Sequence, residues 1–171
     1  TLFRFATDDG SGTPYVDQGS YDNCGIDWGN SFVFPSDFDC TTVGDNFVFY
    51  EVADINGNVT DEFLDVNVVD TIGPIANCQD LTVQLDATGS AHISASNDGS
   101  GLPFVDNGSS DACGISGYSI SQDAFDCSNI QSSPNQVTLT VTDNNGNASN
   151  CSSAVTVLDN IPPTAVCQNL T

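Results

Sequence analysis

Apolar and polar residues alternate along most of this chain, in short runs separated by Gly, Asn, Asp and Pro. Such runs, rich in β-branched residues, occupy 81–86 (LTVQLD), 91–95 (AHISA), 118–121 (YSIS), 136–143 (QVTLTVTD) and 152–159 (SSAVTVLD). A period of two places successive side chains on opposite faces of a strand, and no segment sustains a helical period. The sequence therefore predicts an all-β protein.

The pattern repeats along the chain. Three blocks recur after 89 residues, and a fourth recurs after 87 residues because one loop is shorter. The matched blocks are 7–26 with 96–115, 54–60 with 143–149, 68–82 with 157–171, and, at the shorter spacing, 37–40 with 124–127. Blocks matched in the same order establish an internal repeat.

The repeat predicts two antiparallel β-sandwiches in series, joined near Asp70–Pro74. We expect an incomplete domain over 1–70, a complete domain over 71–160 and the start of a third repeat over 161–171. Asn56-Gly57 and Asn145-Gly146 predict two-residue hairpin turns, for which Asn-Gly is the preferred pair.

The charge balance is extreme. The chain has 23 acidic residues against one basic residue, Arg4, and a formal net charge of −22. Such a chain repels itself unless cations bind or condense on it, and nucleic acids and anionic membranes are poor partners. No apolar run approaches the roughly 20 residues of a membrane-spanning helix. Divalent cations are the partners that the composition favours.

Aspartate dominates the acidic residues, and oxygen ligands of this kind suit Ca²⁺. Candidate ligands lie in the two Asn-Gly hairpins, in the loop before each CGI sequence and in the two linkers. They are Asp54, Asn56, Asp143 and Asn145; Asp9, Asp17, Asp22, Asp98, Asp106 and Asp111; and Asp70 and Asp159. The alternative is a set of plain hairpins and solvated acidic loops.

Four sequence blocks carry a family resemblance. DTIGPIANCQDLTVQLDATG, DACGI, FDCSNI and VTLTVTDNNGNASNC resemble the hyalin-type (HYR-like) immunoglobulin-fold repeats that occur in tandem in surface proteins of Bacteroidetes. The resemblance covers nearly the whole chain, and the second repeat fits best. It implies two Ig-like domains and an extracellular or cell-surface adhesive or structural module, and it does not imply an enzyme.

Seven cysteines suggest pairs with one left over. Cys24 and Cys40 occupy the repeat positions of Cys113 and Cys127, which predicts the bridges Cys24–Cys40 and Cys113–Cys127. The ends of a sandwich would bring Cys78 to Cys151 as a third bridge. Zinc is the competing interpretation, but the chain has no Cys-x-x-Cys pair and one histidine, His92.

The C-terminal sequence AVCQNLT repeats ANCQDLT of residues 76–82. Since Thr1 aligns with Ser90, the first repeat lacks a first strand, and we expect Phe3 and Phe5 to turn inward through a bulge. One hypothesis is that Val166, Cys167, Gln168, Asn169 and Leu170 complete the first domain of the next copy, head to tail, as a filament. Two observations weaken it: Glu62 replaces the cysteine that Cys167 would face, and the donor is short. The alternative is a slice of a longer tandem array.

Five Asn-x-Ser/Thr sequons are candidates for N-glycosylation: Asn58, Asn107, Asn147, Asn150 and Asn169. Asp70-Thr71-Ile72 also resembles the site of Bacteroidetes O-glycans, which makes Thr71 a candidate.

The composition also limits the kinds of function that this chain can have. One histidine, no lysine and no nucleophile–base arrangement argue against an enzyme. A structural filament subunit is one hypothesis, and an adhesin repeat that binds glycans or other cells is the other. Tyr15, Tyr21 and Trp28 could stack on sugar, although Trp28 is expected in the core.

Overall fold

The computed structural model describes residues 15–168, so Asp9, Phe3 and Phe5 lie outside the described residues. The described residues are all-β, as predicted, with two short 3-10 helices among them at Cys40–Thr42 and Cys127–Ile130. The chain divides into two compact units, Thr1–Asp70 and Thr71–Thr171. Among the described residues, no helix is long and apolar enough to cross a membrane.

Over its described residues, the first unit forms an antiparallel sheet in the order β1-β2-β3. Its strands are β1 (Phe32–Phe34), β2 (Gly44–Ala53) and β3 (Val59–Val68). Alternation along β2 buries Val48 and Tyr50, and Phe38 is buried with them. The neighbouring Phe47 is 80% exposed on the opposite face. One face of this sheet is therefore a core face and the other faces solvent.

The second unit contains a four-stranded sheet in the order β4-β9-β8-β6 and a two-stranded sheet of β5 and β7. Strand β4 pairs with β9 in parallel, and the remaining pairs are antiparallel. The strands are β4 (Leu81–Gln84), β5 (Ser90–His92), β6 (Ile115–Ile120), β7 (Ala124–Asp126), β8 (Asn135–Asp143) and β9 (Ala148–Leu158).

Side chains from both sheets share one core in the second unit. The two-stranded sheet and its flanks contribute Phe125 and Ile93, and alternate residues of β4, β8 and β9 contribute aliphatic side chains that are almost fully buried. The core consists of Val83, Leu85, Ile93, Val105, Phe125, Val137, Leu139, Val141, Val155 and Val157. The period-two pattern of the sequence corresponds to this one-sided burial.

The two Asn-Gly hairpins join β2 to β3 and β8 to β9, but the predicted two-residue turns are wrong. The first loop spans three residues, because the Asp54 N–H donates to the Asn58 carbonyl (2.9 Å). Gly57 has φ +86°, whereas no residue other than glycine has positive φ among the described residues. A type I′ turn needs positive φ at both central positions, so Asn56 does not occupy one.

Two of the three predicted disulfides are wrong. Cys78 and Cys151 are bonded, with a Cα–Cα distance of 5.8 Å. Cys24 and Cys127 are exposed free thiols, however, so neither Cys24–Cys40 nor Cys113–Cys127 exists. In the second unit Cys127 follows β7 of the small sheet and Cys113 precedes β6 of the large sheet. Shared repeat positions therefore did not imply proximity within a repeat.

Candidate functional site

The segment that leads into β4 docks as an irregular strand in the second unit. The Ile75 N–H donates to the Ser110 carbonyl (2.8 Å), and the Ser110 N–H donates back (3.1 Å). Further along, the Gln79 N–H donates to the Val105 carbonyl (2.9 Å). On the other side, the Ser153 hydroxyl donates to the Gln79 carbonyl (2.7 Å). The segment thus fills the space between the 104–111 loop and β9.

Side chains of this segment alternate between the core and solvent. Pro74 is buried, and Ala76 and Cys78 pack against the core of the second unit. Ile75 is 73% exposed, and Asn77 is exposed beside it. The inward-facing residues and the backbone hydrogen bonds therefore determine which sequences can dock between the 104–111 loop and β9.

The corresponding place in the first unit is an open cleft of about 510 Å³. Its walls are a loop and the core faces of β2 and β3. By the 89-residue correspondence, the cleft residues Gln18, Ser20, Tyr21 and Glu62 match Asn107, Ser109, Ser110 and Cys151, which bond to the docked segment in the second unit. The lining residues are Gln18, Gly19, Ser20, Tyr21, Asp22, Ile26, Tyr50, Val52, Asp54, Asn58, Thr60 and Glu62.

Strand β3 also has an unpaired edge within the described residues of the first unit. It pairs with β2 alone, whereas its counterpart β9 pairs with both β8 and β4. Val155 and Val157 of β9 are 0% and 1% exposed, but the equivalent Val66 and Val68 of β3 are only half-buried. An unpaired edge beside half-covered aliphatic side chains is a template for an additional strand.

Asp17 fixes the loop at one wall of the cleft. It is 8% exposed, and its carboxylate accepts hydrogen bonds from the Gly19 and Ser20 N–H groups (3.0 Å each) and from the Tyr50 hydroxyl (3.1 Å). Burial alone would raise the pKa of Asp17, but the hydrogen bonds from Ser20, Gly19 and Tyr50 outweigh it and hold the pKa below its usual value. Burial raises the pKa of Tyr50. The loop is therefore held in place by hydrogen bonds within itself and by one from Tyr50 of β2.

The C-terminal segment resembles in sequence the segment that docks in the second unit. Residues 161–168 are exposed and lie outside the strands, and Val166 is 91% exposed. Compared with 73–79, the tail has identical residues at the inward-facing positions, in Pro163, Ala165 and Cys167, and differs at the outward-facing Thr164 and Val166. The predicted donor residues Asn169 and Leu170 lie outside the described part of the chain.

The predicted calcium ligands Asp54 and Asp143 accept hydrogen bonds from residues of their own hairpin loops. The Asp54 carboxylate accepts from the Asn56 and Asn58 N–H groups (2.8 Å each) and from the Asn58 amide (2.6 Å). These bonds, led by the Asn58 side chain, lower the pKa of Asp54. Asp143 is held in the same way by Asn145 and Asn147 and is 1% exposed.

The remaining candidate ligands lie in loops, and most of them cap local turns. Asp22, Asp98, Asp106, Asp111 and Asp159 each accept a backbone N–H from a residue two positions later. Asp70, at the end of the first unit, is half-buried. Within each unit taken by itself, no three described acidic side chains approach closely enough to share an ion.

The aromatic and glycosylation candidates lie at the surface. Trp28 is 43% exposed, so the expectation that it belongs to the core is wrong. The Asp27 carboxylate accepts from the Gly29 N–H (3.0 Å) and forms a turn that places Trp28 at a corner. Tyr15 is 48% exposed and Tyr21 is 92% exposed. Asn58, Asn107, Asn150 and Thr71 are exposed, Asn147 is half-buried, and Asn169 lies outside the described residues.

The comparisons with known proteins find nothing: the sequence matches no protein-family profile and no curated protein. The Cys78–Cys151 disulfide bears on the location of the protein, because structural disulfides are typical of proteins outside the reducing cytosol. Sequence reasoning singled out the tail as a candidate donor but missed the cleft residues Gln18, Tyr50 and Thr60. Aligning the two repeats gives them as the counterparts of Asn107, which donates its N–H to the Asn77 carbonyl (2.9 Å), and of Leu139 and Ser149 in β8 and β9.

Proposed function

We propose that this chain is a non-enzymatic structural subunit or segment of an extracellular, calcium-stabilised filament built from Ig-like, HYR-like domains. The C-terminal strand 165–171 of one copy completes the first domain of the next copy. One observation carries the proposal: the first unit has a cleft where the second unit holds residues 73–80, and the tail repeats the inward-facing residues of that segment. The proposed contact is strand addition, in which backbone hydrogen bonds supply affinity and alternate side chains supply specificity.

The hydrogen bonds of the second unit indicate how the tail would bind. There the Gln79 side-chain amide donates to the Phe104 carbonyl (2.9 Å), and its backbone N–H donates to the Val105 carbonyl. The equivalent donor in the tail is Gln168, and the equivalent carbonyls in the first unit belong to Tyr15 and Val16. The proposal therefore assigns Gln168 as the residue that sets the register of the bound tail.

Such a contact is heterologous, because the tail and the cleft are different surfaces. A heterologous contact that does not close into a ring propagates into an open fibre. Cys167 would face Glu62 where Cys78 bonds to Cys151, so this contact would be non-covalent. Its strength must then come from the strand pairing and from burial of Pro163 and Ala165.

The proposal includes calcium because the chain has a net charge of −22. Copies with this charge repel each other, and divalent cations on exposed carboxylates would offset the repulsion. The candidate ligands fit this role only in part, because Asp54 and Asp143 already accept three hydrogen bonds each from their own loops. Exposed carboxylates such as Asp98 and Asp159 keep lone pairs for an ion.

The alternative is a segment of a longer cell-surface adhesin that binds glycans or other cells. In that arrangement the strand that fills the cleft comes from the same parent chain. The exposed side chains of Tyr15, Tyr21 and Trp28 favour this alternative, because exposed aromatic rings can stack on sugars. Saturable binding of a defined oligosaccharide, lost on Trp28→Ala, would support the adhesin.

The experiment that tests the filament is electron microscopy of the purified chain, in calcium and after chelation. Ala165→Asp places a charge at an inward-facing position of the tail, and Thr164→Asp places the same charge at an outward-facing one. We expect the Thr164 variant to form fibres like the unmodified chain, and the Ala165 variant and a chain lacking 165–171 to stay monomeric. Fibres from all of them, or from none, would contradict the proposal.

A further inference from the structure

The first unit carries a row of phenylalanines on the solvent face of its sheet. Phe34, Phe49 and Phe63 are direct cross-strand neighbours, and Phe32 and Phe47 lie two residues away on the same face. The ring centroids of Phe49 and Phe63 are 5.4 Å apart, and those of Phe49 and Phe32 are 5.7 Å apart. We call these five residues the phenylalanine face.

Four of these rings remain exposed: Phe32 by 47%, Phe34 by 69%, Phe47 by 80% and Phe63 by 72%. Taking about 200 Å² for a phenylalanine side chain, they expose roughly 500 Å² of apolar surface. Apolar patches of this size on a soluble chain are often binding sites, and an interface of ordinary size needs about 800 Å² from each partner. The phenylalanine face thus provides the apolar centre of an interface, and the polar rim around it provides the rest.

The second unit shows that the sheet itself does not require these rings. It has the same strand pairings at the repeat-equivalent positions, with β6, β8 and β9 in the places of β1, β2 and β3. Its solvent face is polar, and the residues equivalent to the phenylalanines are all exposed: Ser119, Ser121, Gln136, Thr138 and Ser152. The phenylalanine face therefore distinguishes one unit from the other at positions where folding tolerates serine and threonine.

The charges beside the rings indicate what would cover them. Glu51 and its cross-strand partner Asp61 lie at one end of the face, and Asp65, opposite Phe47, lies at the other. The described residues include no lysine or arginine, since the one basic residue of the chain is Arg4. A second copy would bring carboxylates against carboxylates on this face, which is unfavourable.

We propose that the phenylalanine face docks a different protein, through a segment that presents apolar side chains flanked by Lys or Arg. The apolar side chains cover the rings of Phe34, Phe47 and Phe63, and the cations pair with Glu51 and Asp61 at one end and Asp65 at the other. The proposal does not depend on the cleft or on the tail, so it can fail or hold independently of the filament.

The test uses the full chain and three synthetic nine-residue peptides: alternating Leu and Lys, alternating Ser and Lys, and alternating Leu and Glu. The matched variant is Phe47→Gln/Phe49→Thr/Phe63→Ser, which transfers the second unit's own residues and leaves the net charge unchanged. In 150 mM salt, fluorescence anisotropy should show the Leu/Lys peptide binding the unmodified chain at least tenfold more tightly than the variant. The Ser/Lys peptide should bind both equally and weakly.

A second variant keeps the test decisive if the first one unfolds. Glu51→Lys/Asp61→Lys/Asp65→Lys retains the rings and reverses the flanking charges, so it should prefer the Leu/Glu peptide over the Leu/Lys peptide. Equal binding of the Leu/Lys peptide to the unmodified chain and the phenylalanine variant would overturn the proposal, because binding would then be non-specific charge attraction. Dimers of the unmodified chain that the phenylalanine variant loses, measured by sedimentation, would overturn it in favour of a second copy.

Discussion

Removing the Cys78–Cys151 disulfide should destabilise the second unit alone. The bond joins residues 73 positions apart, from the docked segment before β4 to the edge of the core in β9. In the unfolded chain it closes a loop of that length, and the chain-entropy relation gives about 4 kcal/mol for a loop of roughly 70 residues. The double variant Cys78→Ala/Cys151→Ala should lose about that free energy of unfolding.

The measurement is urea unfolding with a separate probe for each unit. Hydrogen exchange of the β8 amides reports on the second unit, because Val137 and Leu139 are fully buried there. Fluorescence of Trp28, the one tryptophan, reports on the first unit. With a urea slope of about 2 kcal/mol per molar, the β8 transition should move down by about 2 M while the Trp28 transition stays in place.

The matched control is Cys24→Ala/Cys127→Ala, which removes two exposed free thiols. It should shift neither transition by more than about 0.5 kcal/mol, as expected for surface substitutions. An unchanged β8 transition in the Cys78/Cys151 variant would refute the reasoning that this bond anchors the docked segment. An equal loss in the control would refute it as well.

Three further predictions follow from burial, titration and thiol exposure. Leu139→Ala should cost the second unit about 2–5 kcal/mol in urea unfolding, because the side chain is 0% exposed. Asp17 has a lowered pKa in the folded state, so its stabilising effect should be complete above its unfolded pKa of about 3.9 and be lost as the pH falls through the lower folded value. The measurement is the difference in Trp28 unfolding midpoint between the unmodified chain and Asp17→Asn, which cancels the relief of repulsion among the other carboxylates. A difference that does not shrink as the pH falls below 4 would contradict this. A thiol reagent should label Cys24, Cys127 and Cys167 in the native protein and no other cysteine.

The fold class followed from the sequence because strands that bury one face must alternate apolar and polar residues. Strand β8 satisfies this rule closely, with every second residue buried, and the second half of β9 does so through Val155 and Val157. Strand β2 does not, since Phe47, Val48, Phe49 and Tyr50 form a continuous apolar run. Such a run does not indicate which face is solvent-exposed, so the phenylalanine face required the strand register.

Of the two parts of the candidate site, the sequence indicates the tail but not the cleft. The likeness of 165–171 to 76–82 is the basis for proposing a donor strand, because segments of similar sequence adopt similar conformations when their surroundings match. The cleft required knowing which residues surround the segment before β4, and these come from β9 and from a distant loop. The cysteine pairs failed for the same reason, because repeat positions do not specify which sheet a residue joins.

The most direct measurement of the central claim is an engineered cross-link between copies. Glu62 occupies the repeat position of Cys151, and Cys167 occupies that of Cys78. In a Cys24→Ser/Cys127→Ser background, Glu62→Cys should form disulfide-linked multimers on a non-reducing gel, because a tail bound in the cleft brings Cys167 to residue 62. Asp61→Cys, one residue away on the opposite face, should not. Monomers from the Glu62 variant, or equal multimers from both variants, would contradict strand addition between copies.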